Sequence, residues 1–159
     1  MMKLDKTAIW GLALVVASLG TSHAKAEVVV TNAWVRATVQ GQEATAAYMR
    51  IQSDHDTALI GAASDVADHA ALHEMQRHGE MMMMMPIERI PVLAKSTVVL
   101  DEHNYHVMLE GLKHQIKVGE TVVLTLRFVD AKGQKQNVTV QAVARELSAL
   151  DKQGAHDHM

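Results

Sequence analysis

Val122-Val123-Leu124-Thr125-Leu126-Arg127-Phe128 is the most regular stretch of the chain, and its period is two. Successive side chains of a strand point to opposite faces, so Val122, Leu124, Leu126 and Phe128 share one face and Val123, Thr125 and Arg127 share the other. The first face is expected to be core. Similar short segments rich in β-branched and apolar residues recur on both sides of it. Strands are expected near residues 28–30, 34–38, 47–52, 58–63, 70–77, 87–90, 97–100, 105–110, 121–129 and 136–144. Turn formers separate them at 40–41, 53–56, 78–79, 101–104, 117–120 and 130–133. A turn signal about every ten residues, with hardly a helical stretch, points to an all-β antiparallel sandwich or barrel.

The 159 residues are 48% hydrophobic and 21% charged, which suffices for one globular domain with a core. Aromatic residues make up only 3%, and 18 acidic residues outnumber 15 basic ones, so a basic face with stacking rings is excluded. Nucleic acid is not an expected partner. At the start, Lys3 and Lys6 precede an apolar run over 8–19, and Ala24-Lys25-Ala26 supplies a small-residue cleavage pattern. Residues 1–26 therefore read as a secretory signal removed after Ala26. The run is shorter than the ~20 apolar residues that span a bilayer, so no stable membrane insertion is expected after processing. Residues 27–147 then form the single domain. Beyond Ser148 the alternation stops, and 148–159 reads as a flexible tail containing His and Met.

An exported chain meets conditions in which disulfides form, yet this one contains no cysteine. That also excludes thiolate zinc sites, cysteine nucleophiles, iron–sulfur clusters and blue-copper centres. What the chain does hold is 11 Met and 10 His. They concentrate in two places. The first is His73-Glu74-Met75-Gln76-Arg77-His78-Gly79-Glu80 followed by five consecutive methionines, Met81 to Met85, and Pro86; the second is Tyr105-His106-Val107-Met108. On a strand His106 and Met108 project from one face, as do His73 and Met75. Imidazole with thioether is a soft, uncharged donor set that selects Cu(I), whereas Mg²⁺ and Ca²⁺ want oxygen and Zn²⁺ prefers thiolate, imidazole and carboxylate. Two other readings of the methionines stand beside copper: plastic core filling and an adhesive surface for a partner. His55, His69, His103 and His114 lie in polar or turn contexts and read as solvated.

The spacing His73, ten residues, Met84, twenty-one residues, His106, one residue, Met108 resembles the H-x10-M-x21-H-x-M signature of the periplasmic copper chaperones called PCuAC. The flanking segments resemble that family too: Asn32-Ala33-Trp34-Val35-Arg36-Ala37, Ala46-Ala47-Tyr48-Met49, Leu72-His73-Glu74, Met84-Met85-Pro86, the run from Tyr105 to Lys113, and Gly119-Glu120-Thr121-Val122. The resemblance implies a cupredoxin-like Greek-key β-sandwich in the periplasm that binds Cu(I) through His73, Met84, His106 and Met108. It also implies delivery of copper to cytochrome c oxidase copper-centre assembly, either to an oxidase subunit or to a copper-receiving assembly protein. No catalysis is expected, and the molecule is expected to be a monomer. Two features depart from the family pattern. The Met run is longer than the motif requires, which makes the choice of Met84 over Met82 or Met85 a matter of motif register and leaves Met82, with Met75, as accessory candidates; the tail adds His156, Asp157, His158 and Met159, whose imidazoles and carboxylates would suit Cu(II). An interaction module with a Met-rich surface and a copper-dependent oxidase are the alternative functions.

Overall fold

The computed structural model describes residues 27–146, and every regular element among them is a strand. In chain order these are β1 (Val28–Arg36), β2 (Ala44–Ser53), β3 (Thr57–Ser64), β4 (Ala67–His78), β5 (Met81–Ile87), β6 (Ile90–Val92), β7 (Thr97–Leu100), β8 (Tyr105–Leu112), β9 (Thr121–Asp130) and β10 (Lys135–Arg145). The expected signal segment and the tail, with His156, His158 and Met159, lie outside the described residues.

The strands form a ladder in the order β5-β4-β8-β7-β2-β1-β10-β9-β3-β6, with β8 also pairing directly with β2. The ladder closes around one core. Inward side chains of β2, β4 and β8, such as Met49, Leu72 and Val107, belong to the same buried cluster as Leu59, Ile90, Phe128 and Ala142 from β3, β6, β9 and β10. On β9 the alternation holds: Val122, Leu124, Leu126 and Phe128 are fully buried, while Arg127 is exposed. Each such burial stabilises by roughly 1.5–3 kcal/mol, so a few of these strands outweigh any surface contact.

Two strand expectations are corrected. The segments 28–30 and 34–38 are one strand, β1, which stays paired with β2 through a shift of register between Thr31 and Trp34. Asn32 sits there at φ 51°, a left-handed conformation that asparagine tolerates better than most residues. The segment 87–90 is not one strand: Ile87 ends β5, whose body is the Met run, Ile90 begins β6, and Glu88 and Arg89 are the bend between them.

β7 and β8 lie end to end along β2, β7 opposite residues 49–52 and β8 opposite 44–47. The four residues between them form a tight loop in which Asp101 Oδ1 accepts from the amides of His103 (2.8 Å) and Asn104 (2.9 Å). The Asn104 carbonyl then accepts from the Met75 amide at 2.9 Å, tying this loop to β4. That brings residues 73–75 and 105–106 side by side.

Candidate metal centre

Val107 and Leu109 of β8 enter the core, so His106 and Met108 must point out of the opposite face. Directly opposed residues in an antiparallel ladder point the same way, and the registers are His73↔His106, Ala71↔Met108, Met75↔Met84 and Arg77↔Met82. All six expected or accessory donors of the described residues, His73, Met75, Met82, Met84, His106 and Met108, therefore share one face. Met81, Met83 and Met85 face the other way. The choice of Met84 over Met85 is thus a matter of pleat.

The outer face of a sheet normally leaves side chains in water, but His106 is only 4% exposed and His73 9%. They stand in a row of rings that crosses four strands. The Trp34 and Tyr48 rings are 4.5 Å apart, Tyr48 and His106 6.4 Å, and His106 and His73 5.7 Å, edge to face. Arg145 caps the far end, its guanidinium 3.9 Å above the Trp34 ring. On one side of the row Ala46 and Ala71 flank Met108, short side chains that leave its thioether room. On the other side Met84 reaches over the ring, and its Sδ lies 3.0 Å from His106 Nε2. A cavity of about 290 Å³ opens there, lined by Tyr48, Met75, Met84, Glu102, His106 and Met108 among others.

The electrostatics suit a neutral donor set. Burial, and then the neighbouring His73, push the His106 imidazole below its ordinary value of 6.5; the Asn104 carbonyl works in the other direction but less strongly. Tyr48 is pushed up to about 12, first by burial and then by Glu102, and remains a phenol. Nδ1 of His73 and Nδ1 of His106 are buried with no hydrogen-bond partner among the described residues, and Glu102 Oε1 is in the same condition. The one polar neighbour of His106 Nε2 is a thioether, a weak acceptor. A buried imidazole nitrogen left unsatisfied, as at His73, costs about 1–3 kcal/mol, a cost that a cation held by these rings would offset. Among the described residues no three His, Asp or Glu side chains converge as a metal site. A metal held here by the imidazoles therefore needs the thioethers as well, which favours a soft ion.

Met82 lies two pairs further out than Met84, opposite Arg77, and is half exposed. Met75 lines the cavity itself. His55, His69, His103 and His114, among the described residues, are not drawn in. His55 pairs with Asp54 (2.7 Å) and His114 with Glu120 (2.6 Å) on the surface, and His69 and His103 are exposed. Sequence reading missed Tyr48, Ala46 and Glu102 as parts of the site, because cross-strand register recruits the first two and the fold of the 101–104 loop the third, neither of which shows in spacing along the chain.

Residues 28–142 match the sequence family described as "Putative lipoprotein LpqE-like". The chain is similar to "Putative lipoprotein Lxx21020" of Leifsonia xyli subsp. xyli, 31% identical over 113 residues that cover 70% of this chain and 68% of the relative. Among solved structures it resembles the Cu(I) form of DR1885 from Deinococcus radiodurans, at 37% identity, covering 74% of this chain and 77% of that one, with a TM-score of 0.53. The copper-bound PCuAC domain from PmoF2 superposes with a TM-score of 0.60 at 22% identity, over 76% of this chain and 93% of that domain, a likeness of fold. The chain belongs to the LpqE-like family, and its fold is the cupredoxin-like β fold of the PCuAC domains.

Proposed function

We propose that this protein is a periplasmic copper chaperone that binds Cu(I) through His73, Met84, His106 and Met108. The convergence of His106 Nε2 and Met84 Sδ to 3.0 Å, beside a second imidazole and with buried ring nitrogens left unsatisfied, carries this reading. The Cu(I) form of DR1885 and the copper-bound PCuAC domain lend it support, since both similar structures hold the metal that this donor set would select. Met75 is positioned to act as an accessory donor, and Met82 as a more distant one.

The site's chemistry is that of transfer. Neutral imidazoles and thioethers hold Cu(I) without a negative charge and need no thiol, which would be lost to disulfides in an oxidising compartment. Met84, at the rim and 46% exposed, is the donor a receiving protein reaches first. A thiolate is a stronger, anionic ligand for Cu(I), so replacing Met84 and then the remaining donors one at a time moves the metal downhill without releasing it. The receiver is then a thiolate-bearing assembly protein or the copper-binding subunit of cytochrome c oxidase. The lipoprotein names of the relatives and the signal-like residues 1–26 support export. The 159 residues contain no cysteine, so a lipid joined through a cysteine thioether has no attachment point among them. We propose a monomer free in the periplasm, with His156, His158 and Met159 of the tail adding Cu(II) affinity. Competition against a Cu(I) chelator, followed by mixing with a dithiol acceptor, tests the function. One tightly held Cu(I) that passes to the acceptor, and stays put when the acceptor's thiols are alkylated, is the expected result. No copper uptake, or copper that never leaves, would overturn the reading.

A further inference from the structure

The main site uses one face of the β4–β5 hairpin and leaves the other unexplained. Gly79, at φ +64°, and Glu80 form a two-residue turn, so His78 and Met81 are the pair that closes the ladder. Met83 follows two residues on, opposite Gln76, and shares the face of Met81. This face continues the one that buries Leu72 and half-buries Ile87, but at the hairpin's tip the core has ended. Met81 is 68% exposed and Met83 44%, and His78 is exposed as well. Two thioethers held in water beside an imidazole have no packing role there, and burial is the usual reason for such residues on a strand.

We propose that His78, Met81 and Met83 form a second site for a soft monovalent cation, Cu(I), on the reverse of the hairpin. Directly opposed residues have Cβ atoms about 4.5–5.5 Å apart and diagonal neighbours about 7–8 Å, within the reach of two thioethers and a ring closing on one ion. The donor set is of the same kind as the main site's, imidazole with thioether, but has one imidazole fewer, is open to solvent and rests on flexible side chains. It therefore binds more weakly, by at least about tenfold, since three mobile side chains must be ordered to fill it. β5 would then carry copper donors on both faces: Met82 and Met84 on one, Met81 and Met83 on the other. This accounts for four of the five consecutive methionines, where one is enough for the main site. The inference stands on the reverse face alone and does not require the main-site reading.

Titrating the full chain, labelled at the methionine methyl carbons, with Cu(I) under anaerobic conditions tests it by NMR. A second equivalent is expected to shift the Met81 and Met83 methyls and the His78 ring, and the double variant Met81→Leu/Met83→Leu is expected to lose that equivalent while keeping the first. Leucine preserves the apolar surface, and the positions are exposed, so the fold is retained. A first equivalent that moved Met81 and Met83 while leaving Met84 and Met108 unmoved would uphold this site and overturn the main one. The inference fails if Met81 and Met83 stay unmoved at two equivalents, if the second equivalent shifts only the tail histidines, or if the double variant still takes up both.

Discussion

His106 is the residue on which the site turns, because it touches Met84, faces His73 and belongs to the ring row through Tyr48. Its burial holds the ring neutral, and neutral imidazole is the form that binds metal. In the copper-free protein an NMR titration of the His106 ring should give a midpoint below the ordinary 6.5; a midpoint at or above that value would contradict the burial described. As pH falls through about 6.5 the unfolded chain takes up this proton before the folded one does, so the ring's contribution is complete above that pH and is lost as pH drops toward the depressed folded value. Met108 and Met84 differ in another way. Met84 shares its face with Met75 and Met82, whereas Met108 stands between Ala46 and Ala71. Met108→Ala should therefore weaken Cu(I) binding several-fold more than Met84→Ala, measured by chelator competition, and the reverse order would show that the neighbouring methionines do not substitute. At this scale His106 and Met108 were legible as one-face partners from their spacing alone. Their opposition to His73 was not, since register between distant strands leaves no local mark in the sequence.

The β4–β5 hairpin shows why some elements escape sequence reading. A run of identical residues has no period, and methionine is a fair helix former, so Met81 to Met85 gave no alternation from which a strand could be inferred. Pairing with β4 makes it one. In β1, by contrast, Asn32 and Ala33 interrupt the apolar pattern and imitate a turn, when they are a local irregularity inside a continuous strand. β9 needed no such help, because each of its inward residues is apolar and fully buried. The close of β8 makes a sharper demand. Gly111 has φ +65°, and a Cβ there would lie 3.0 Å from the Cβ of Asp68 on β4. Gly111→Ala must strain the backbone and push β8 from β4, the two strands that carry the histidines. It should destabilise by about 1–3 kcal/mol, read as a lower urea midpoint with unchanged slope. An unshifted midpoint would mean the strands separate there at no cost.

For the molecule as a whole, one β-sheet closed on one core gives a rigid frame whose outer face can be spent on binding. The all-β class was readable from turn spacing and alternation, as strand propensity and burial act locally. The strand order was not, because a ladder that runs β5-β4-β8-β7-β2-β1-β10-β9-β3-β6 is fixed by which edges meet once the core has formed. That order is what sets donors from β4, β5 and β8 on one surface. The most direct measurement is a crystal structure of the Cu(I)-loaded protein, with the metal located from anomalous scattering at the copper edge. The strongest copper peak should lie between His106 Nε2 and Met84 Sδ, with His73 and Met108 completing the coordination. A strongest peak elsewhere on the chain, or one at this place with no thioether bound, would contradict the account.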